Sequence, residues 1–302
     1  MIFITTLALF ALVSKASPSP AAWRDDQATS AVVTSPFGTG QAENLATISQ
    51  ATSSTGISTP ASAPRPSYAG AKRGLAYNEA SLCKPFGDRY GFRYNWAQVE
   101  DQDTAKFIPM MHSPAQSGVE EWLANVDRAV AGGSQAVMGF NECDHAEQCN
   151  LTPEAACLAW KQYMNPIKTK HPHITIIGPS VTNAAAPMGL TWLSRFNAIC
   201  PDADIDAYNI HFYDIYEPLT IQRLRSHVEE TATYGKKVWV TEFGLNPGAS
   251  PEQARAFLEE GMAYLEDCDD VQAYSWFMVG TGENQLNRGA GLSTLGHIYA
   301  SN

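Results

Sequence analysis

Ala136-Val137-Met138-Gly139-Phe140-Asn141-Glu142 is a short apolar run that stops on an amide and a carboxylate. A run with no polar alternation fits a strand covered on both faces, which is how strands of a parallel sheet read. Its flanks agree. Residues 119–130 ahead of it carry an amphipathic helical pattern that Gly132-Gly133 stops. Residues 153–168 behind it carry another, with Thr152 as cap and Pro153 at the first helical position. Residues 174–178 (ITIIG) then supply a further apolar run. Strand, helix and strand in that order predict a parallel β-α-β unit.

The alternation extends in both directions. Further strands are predicted at residues 73–78 (RGLAYN), 92–96 (FRYNW), 107–112 (FIPMMH), 207–212 (AYNIHF), 238–241 (VWVT) and 271–277 (VQAYSWF). Further helices are predicted at 190–199, 219–234 and 251–265, where Ser250-Pro251-Glu252-Gln253 has the capping-box form and Gly235 ends the helix before it. Eight strands with intervening helices over about 230 residues predict an α/β fold, a single (β/α)8 barrel of the TIM type. A doubly wound open sheet is the alternative; against it, no Gly-rich phosphate loop follows the first strand.

The folded domain is assigned to residues 72–302. Residues 1–13 (MIFITTLALFALV) are apolar but shorter than the ~20 residues a membrane helix needs, and Ser14-Lys15-Ala16 offers small residues where a signal peptidase reads. Residues 1–16 are therefore predicted to be a secretory signal peptide, with an uncleaved anchor as the alternative. Residues 17–71, rich in Ser, Thr, Ala, Pro and Gly, read as a disordered linker suited to an O-glycosylated stalk or cell-wall spacer. The expected location is secreted, extracellular or cell-wall associated, with no membrane contact after signal removal. Six cysteines allow up to three disulfides in 15 complete pairings, none selected by the sequence. Asn150-Leu151-Thr152 is the one N-glycosylation sequon and marks Asn150 as a surface residue. With 31 acidic against 20 basic side chains the net charge is −11, which argues against nucleic acid and anionic lipid as partners. A monomer is expected.

In an eight-stranded barrel the chemistry gathers at the C-terminal strand ends. Those ends carry Tyr77 and Asn78, Asn95 and Trp96, His112, Asn141 and Glu142, His211 and Tyr213, Glu242, and Trp276. A carboxylate directly after an apolar strand is costly to bury unless it is paired or has a task. Glu142 and Glu242 both stand in that position, on the fourth and seventh predicted strands. Two carboxylates on one rim fit a glycosidase pair, one donating a proton and the other acting as nucleophile or base. Separate rim salt bridges are the structural alternative.

Gly139-Phe140-Asn141-Glu142 followed by Trp239-Val240-Thr241-Glu242-Phe243-Gly244 is similar to the Asn-Glu and Thr-Glu-Phe signatures of the retaining (β/α)8 glycoside hydrolases. The chain from Lys72 onward resembles glycoside hydrolase family 128, the fungal and bacterial β-1,3-glucanases. Arg73-Gly74-Leu75-Ala76-Tyr77-Asn78, Tyr94-Asn95-Trp96 and Ile177-Gly178-Pro179-Ser180 match in order. The resemblance implies a retaining double displacement on β-1,3-glucan, polysaccharide or oligosaccharide, with Glu142 as acid/base and Glu242 as nucleophile. The two carboxyl groups would then lie about 5–5.5 Å apart. Asn141 would bind the sugar 2-hydroxyl, and Asn95, His211 or Tyr213 would keep the nucleophile ionised. No cofactor and no metal is implied. A glucan-binding protein without hydrolysis, and the same machinery on another β-glycan, are the competing readings.

The chain departs from the family pattern twice: Cys143-Asp144 replaces Pro-Asp after the Asn-Glu pair, and His211-Phe212-Tyr213 replaces His-Trp-Tyr. Phe212 for Trp leaves the depth of one subsite, and endo against exo cleavage, open. Cys143 is expected in a disulfide, with Cys83 near the first strand as its partner. Sugar rings present C–H faces to aromatic platforms, a role assigned foremost to Trp276 and next to Trp96, Tyr213 and Tyr77. Asn78 and His112 are further substrate-contact candidates. Trp122, Trp160, Trp192 and Trp239 read as core, and His171-Pro172-His173 precedes a strand, on the face away from the chemistry.

Overall fold

A computed structural model describes residues 68–100 and 105–301, so the signal-peptide reading and nearly all of the linker reading lie outside the described residues. In chain order the elements are β1 (Gly74–Ala76), a 3-10 helix (Ala80–Phe86), β2 (Phe92–Tyr94), α1 (Val119–Ala131), β3 (Ala136–Met138), α2 (Pro153–Tyr163) and α3 (Asn165–Lys170). They continue with β4 (Thr175–Val181), α4 (Gly189–Ile199), β5 (Ala207–Asp214), α5 (Thr220–Ala232), β6 (Lys237–Leu245), α6 (Pro251–Asp267) and β7 (Val271–Trp276). A small hairpin, β8 (Asn287–Arg288) and β9 (Gly291–Leu292), and α7 (Thr294–Tyr299) complete the chain.

The fold is α/β, built on a curled half-barrel of five parallel strands in the order β3-β4-β5-β6-β7. β1 pairs with β2, also in parallel. Isolated parallel bridges continue on both sides: Arg73 to Tyr274 and Tyr77 to Val279, then Arg93 to Phe107 and Met110 to Met138. The strand predicted at 107–112 is reduced to those contacts because Pro109 has no N–H to give to a ladder, although its carbonyl accepts from Met138 at 3.0 Å. The helix predicted at 153–168 breaks at Met164 into α2 and α3, where Pro166 in the first turn of α3 cannot donate the next helical hydrogen bond. The capping box of α6 and the Thr152 cap of α2 form as expected.

Side chains alternate across each strand, and two cores result. The inner faces pack Ala76, Phe92, Tyr94, Met138, Ile177, Ala207, Trp239 and Ala273 against one another. The outer faces pack Val137, Ile176, Ile210, Val240 and Phe243 with the helices. Trp160 lies in the outer core against Phe140 and Phe196. A Cβ on Gly139 would sit 2.3 Å from its indole, so only glycine fits there. Lys72 Nζ donates to the carbonyls of Leu265, Glu266 and Cys268 at the end of α6, and Arg73 donates to the carbonyls of Tyr299 and Ser301. The start and the end of the folded chain are thus fastened together at the N-terminal strand ends.

Two disulfides form, Cys143–Cys149 and Cys157–Cys200, while Cys83 and Cys268 are free. The expected Cys83–Cys143 link is corrected: the loop after Glu142 folds back on itself, with Cys149 N–H donating to Asn141 O and Leu151 N–H to Cys143 O, which brings Cys149 to Cys143. Cys83 is buried in the 3-10 helix after β1, beside Arg93 and Glu100, and burial pushes its thiol up to about 12. Among the described residues no helix is long and apolar enough to cross a membrane.

Candidate active site

β5 alternates Tyr208, Ile210 and Phe212 into the outer core with Asn209, His211 and Tyr213 toward the interior. Its partner β6 carries a bulge: Ile210 pairs with Val240 but His211 pairs with Glu242, so Thr241 is an extra residue. A bulge re-aims side chains, and here both Thr241 and Glu242 reach inward. Glu142 follows β3 with φ of 45°, and Trp96 follows β2 with φ of 55°. Left-handed backbone costs a non-glycine residue on the order of 1 kcal/mol. Both strained residues deliver their side chains to one place.

That place is a buried cluster around His211. Its Nδ1 lies 2.7 Å from Oε1 of Glu142, its Nε2 3.0 Å from Oγ1 of Thr241 and 3.6 Å from Oε1 of Glu242. Glu242 Oε1 accepts from Trp96 Nε1 at 2.7 Å, and its Oε2 accepts from the Tyr213 hydroxyl at 2.6 Å. One carboxyl oxygen each of Glu142 and Glu242 and one ring nitrogen of His211 fall within 4.8 Å of one another. Glu142 is held from its backbone, whose N–H donates to Ser180 Oγ at 3.1 Å. Asp144 anchors the same loop, accepting from Thr182 and from Gly189 N–H, and burial raises its carboxyl above the usual range.

The electrostatics follow from burial and proximity. Burial alone would lower the His211 imidazole, but Glu242 and Glu142 outweigh it and hold the group above its ordinary value. Glu242 is 5 % exposed; burial, with Glu142 adding, pushes its carboxyl up, opposed by His211 and by the Tyr213 and Trp96 donors. Both nitrogens of His211 and both carboxyl oxygens of Glu242 are thus turned to a partner, and Glu142 joins the set through Oε1. Cys157, Cys200 and Asp202 also lie close together, but their two sulfurs are joined in the disulfide.

The structure brings Glu142, Glu242, His211, Tyr213 and Trp96 together, with Asn141 beside them, its Oδ1 accepting from Ser180 Oγ and its Nδ2 donating to Gln148 Oε1 at 3.3 Å. His112 stands at the same edge, its carbonyl accepting from Asn141 N–H at 2.9 Å and its imidazole lowered by burial. Other expectations are corrected. Trp276 is 1 % exposed and packs outward against Phe243 and Phe257, its Nε1 donating to Asn284 O, so it offers no sugar a face. Tyr77 also points outward, donating to Glu100 Oε2 at 2.5 Å beneath Arg93. Asn95 folds onto its own turn, bonding Val99 O and Ala97 N, and does not reach Glu242. Asn78 is exposed at the rim beside Met278, and Asn150 is exposed in its loop.

Three contributors escape the sequence reading. Phe277, one residue past Trp276 and so on the opposite face, sets its ring 5.7 Å from Trp96 and 5.6 Å from Tyr213. Thr241 and Asn209 line the cluster from below, their side chains 2.8 Å apart. Alternation counted from His211 would have found Asn209; the bulge that turns Thr241 inward leaves no mark in the pattern.

A family model described as the glycosyl hydrolase catalytic core matches residues 74–299. Alkali-sensitive linkage protein 1 of Schizosaccharomyces pombe is 26 % identical over 248 residues, which is 76 % of this chain and 44 % of that protein. The chain therefore spans under half the length of that curated relative. Among solved structures, a curdlan-specific exo-β-1,3-glucanase from Blastomyces gilchristii, of subgroup III of glycoside hydrolase family 128 and in complex with glucose, is 32 % identical with a TM-score of 0.69. The match covers 76 % of this chain and 98 % of that one. A subgroup I endo-β-1,3-glucanase from Amycolatopsis mediterranei, in complex with laminaritriose, shares the fold at 24 % identity and a TM-score of 0.63, over 76 % of this chain and 99 % of that one.

Proposed function

The chain belongs to glycoside hydrolase family 128, within the glycosyl hydrolase catalytic core, and on that premise we propose that it hydrolyses β-1,3-glucan, as laminarin-like polysaccharide or oligosaccharide, with retention of configuration. The observation that carries this reading is the pair Glu142 and Glu242, bracketing His211 with donor atoms within 4.8 Å. That spacing falls on the short side expected for a carboxyl that attacks the sugar directly, rather than the 6.5–9.5 Å that leaves room for a water. The bridges on either side of the half-barrel are read as closing it into a (β/α)8 barrel, with the pair at its C-terminal mouth.

In the first step Glu242 attacks the anomeric carbon while the Glu142 carboxyl gives its proton to the departing glycosidic oxygen. The C–O bond to the leaving sugar breaks and an ester to Glu242 forms. Glu142 then takes a proton from water as its oxygen attacks the same carbon, releasing Glu242 and restoring both groups. Trp96 and Tyr213 stabilise Glu242 as an anion before attack and as leaving group afterwards. Asn141 is placed to bind the sugar 2-hydroxyl, and Phe277, Trp96 and Tyr213 wall the site with aromatic edges. Secretion is supported by the two disulfides, which persist in oxidising compartments, and exposed Asn150 is the proposed N-glycan site.

The variant Glu242→Gln is expected to lose release of reducing sugar from laminarin while still binding laminari-oligosaccharides; retained turnover excludes Glu242 as nucleophile. Glu142→Ala, given an aryl β-glucoside whose leaving group needs no proton, is expected to be rescued by azide with a β-glucosyl azide as product. An α-azide would overturn retention. Wild-type protein that binds laminarin and releases nothing would make it a glucan-binding protein.

A further inference from the structure

Thr241, the residue that the β6 bulge adds, has a doubly engaged hydroxyl. Oγ1 donates to Oδ1 of Asn209 at 2.8 Å and lies 3.0 Å from Nε2 of His211. A hydroxyl has one hydrogen. With that hydrogen given to Asn209, Oγ1 can only accept from His211, so Nε2 carries a hydrogen. Nδ1 faces Oε1 of Glu142 at 2.7 Å, and one further hydrogen lies between those two atoms, whichever of them holds it. We propose that Thr241 and Asn209 are positioning residues that fix the hydrogen of His211 on Nε2, and so keep a single proton shared between His211 Nδ1 and the Glu142 carboxyl.

The competing arrangement is a neutral imidazole with its hydrogen on Nδ1. It sets the bare Nε2 lone pair against the lone pairs of Thr241 Oγ1, or turns the hydroxyl hydrogen to Nε2 and strands the buried Asn209 amide oxygen, either facing Oγ1 or, with the amide turned over so that Nδ2 donates to Oγ1, at the position where no partner stands. Both side chains are buried, with Asn209 at 1 % exposure, so water does not stand in for the lost partner. Asn209 Nδ2 has no hydrogen-bond partner, which leaves the bond to Thr241 as the contact that orients the amide. The next acceptor toward Nε2, Glu242 Oε1, lies at 3.6 Å, beyond hydrogen-bond reach. The charged and titratable groups acting on His211 are Glu142 and Asp144 after β3, Glu242 on β6, His112 ahead of α1 and His227 on α5. Tyr94 and Tyr213 also face the cluster, as phenols held neutral by burial.

This inference rests on Glu142 as acid/base, and two measurements separate its failure from that of the hydrolase reading. The first needs no variant in the reporting sample: 15N-histidine NMR of the full chain, with His211→Gln used only to assign the resonance. The expected spectrum shows Nε2 protonated across the active pH range; a neutral ring protonated on Nδ1 alone overturns the proposal, whether or not the protein is active. The second is the pH profile of kcat on laminarin for Thr241→Val, Thr241→Ser and Asn209→Ala. Removing the acceptor, or freeing the hydroxyl to donate to Nε2, makes the shared proton easier to lose. The basic limb should fall by about one pH unit in the Val and Ala variants, with KM unchanged, and return toward the wild-type position in the Ser variant. Basic limbs that superimpose on the wild-type limb, with only the amplitude lowered, mean that the two residues serve packing alone and overturn the proposal.

Discussion

Tyr213 gives its phenolic hydrogen to Oε2 of Glu242 at 2.6 Å from the strand next door, and the Phe277 ring stands edge-on against the same phenol. The donor is therefore held in place before any sugar arrives, which is what makes a hydrogen bond in a dry site effective.

Tyr213→Phe removes that donor and leaves the ring. One lost donor to a reacting carboxylate is expected to lower kcat by about 10- to 100-fold. A donor to the anion lowers its pKa, so without it the Glu242 carboxyl rises further. In the proposed mechanism attack requires the anion, so the acid limb of the pH–rate profile should move to higher pH. Rates on laminarin between acid and neutral pH, with circular dichroism to confirm the fold, check both; an unmoved acid limb contradicts the role.

How much of this site could be read in the chain depends on which face a strand residue takes. Glu142, Glu242, His211 and Tyr213 are marked by their places at strand ends, and the family motifs reinforce them. Trp276 has the right residue type and the right end, yet Phe243 and Phe257 claim it for the outer core and its neighbour Phe277 takes the inner face. Tyr77 fails in the same way, drawn outward by Glu100 and Arg93. Periodicity reveals that two faces exist, and only the packed helices reveal which one is outside. The loop after Glu142 was illegible for another reason: its disulfide depends on a tight reversal that no hydrophobic pattern encodes.

His227 on α5 should make the protein acid-sensitive. Its Nε2 is buried without a partner, and burial, with His211 adding, pushes its pKa down to about 4. The unfolded chain binds that proton near pH 6.5 and the folded one does not, so stability is complete above about 6.5 and is lost as pH falls toward 4. At 1.36 kcal/mol per unit the loss reaches about 3 kcal/mol. His227→Gln should show a smaller difference between urea melts at pH 7 and pH 4.5 than the wild type does. An equal difference would place the acid sensitivity elsewhere.

The two disulfides should separate stability from activity. Cys157–Cys200 closes 43 residues of sequence and Cys143–Cys149 closes six. Chain entropy assigns about 4 kcal/mol to the first and about 2 kcal/mol to the second. Paired Ser variants of Cys157 and Cys200 should therefore lower the melting temperature more. Paired Ser variants of Cys143 and Cys149 loosen the loop that sets the backbone of Glu142, and should lower kcat more. Melting curves and laminarin kinetics on the two pairs test the ordering.

Lys72 and Arg73 are fastened to the end of α6 and to the last residues of the chain, at the N-terminal strand ends. All strands of the half-barrel run parallel away from that side toward Glu142 and Glu242. A protein held at Lys72 is consequently held at its N-terminal strand ends, with Glu142 and Glu242 at the opposite ends. The same is true of a fusion at the C-terminus. A handle or bead fixed at Lys72 or Ser301 is therefore remote from Glu142 and Glu242, and under the proposed function leaves the approach of a long glucan open.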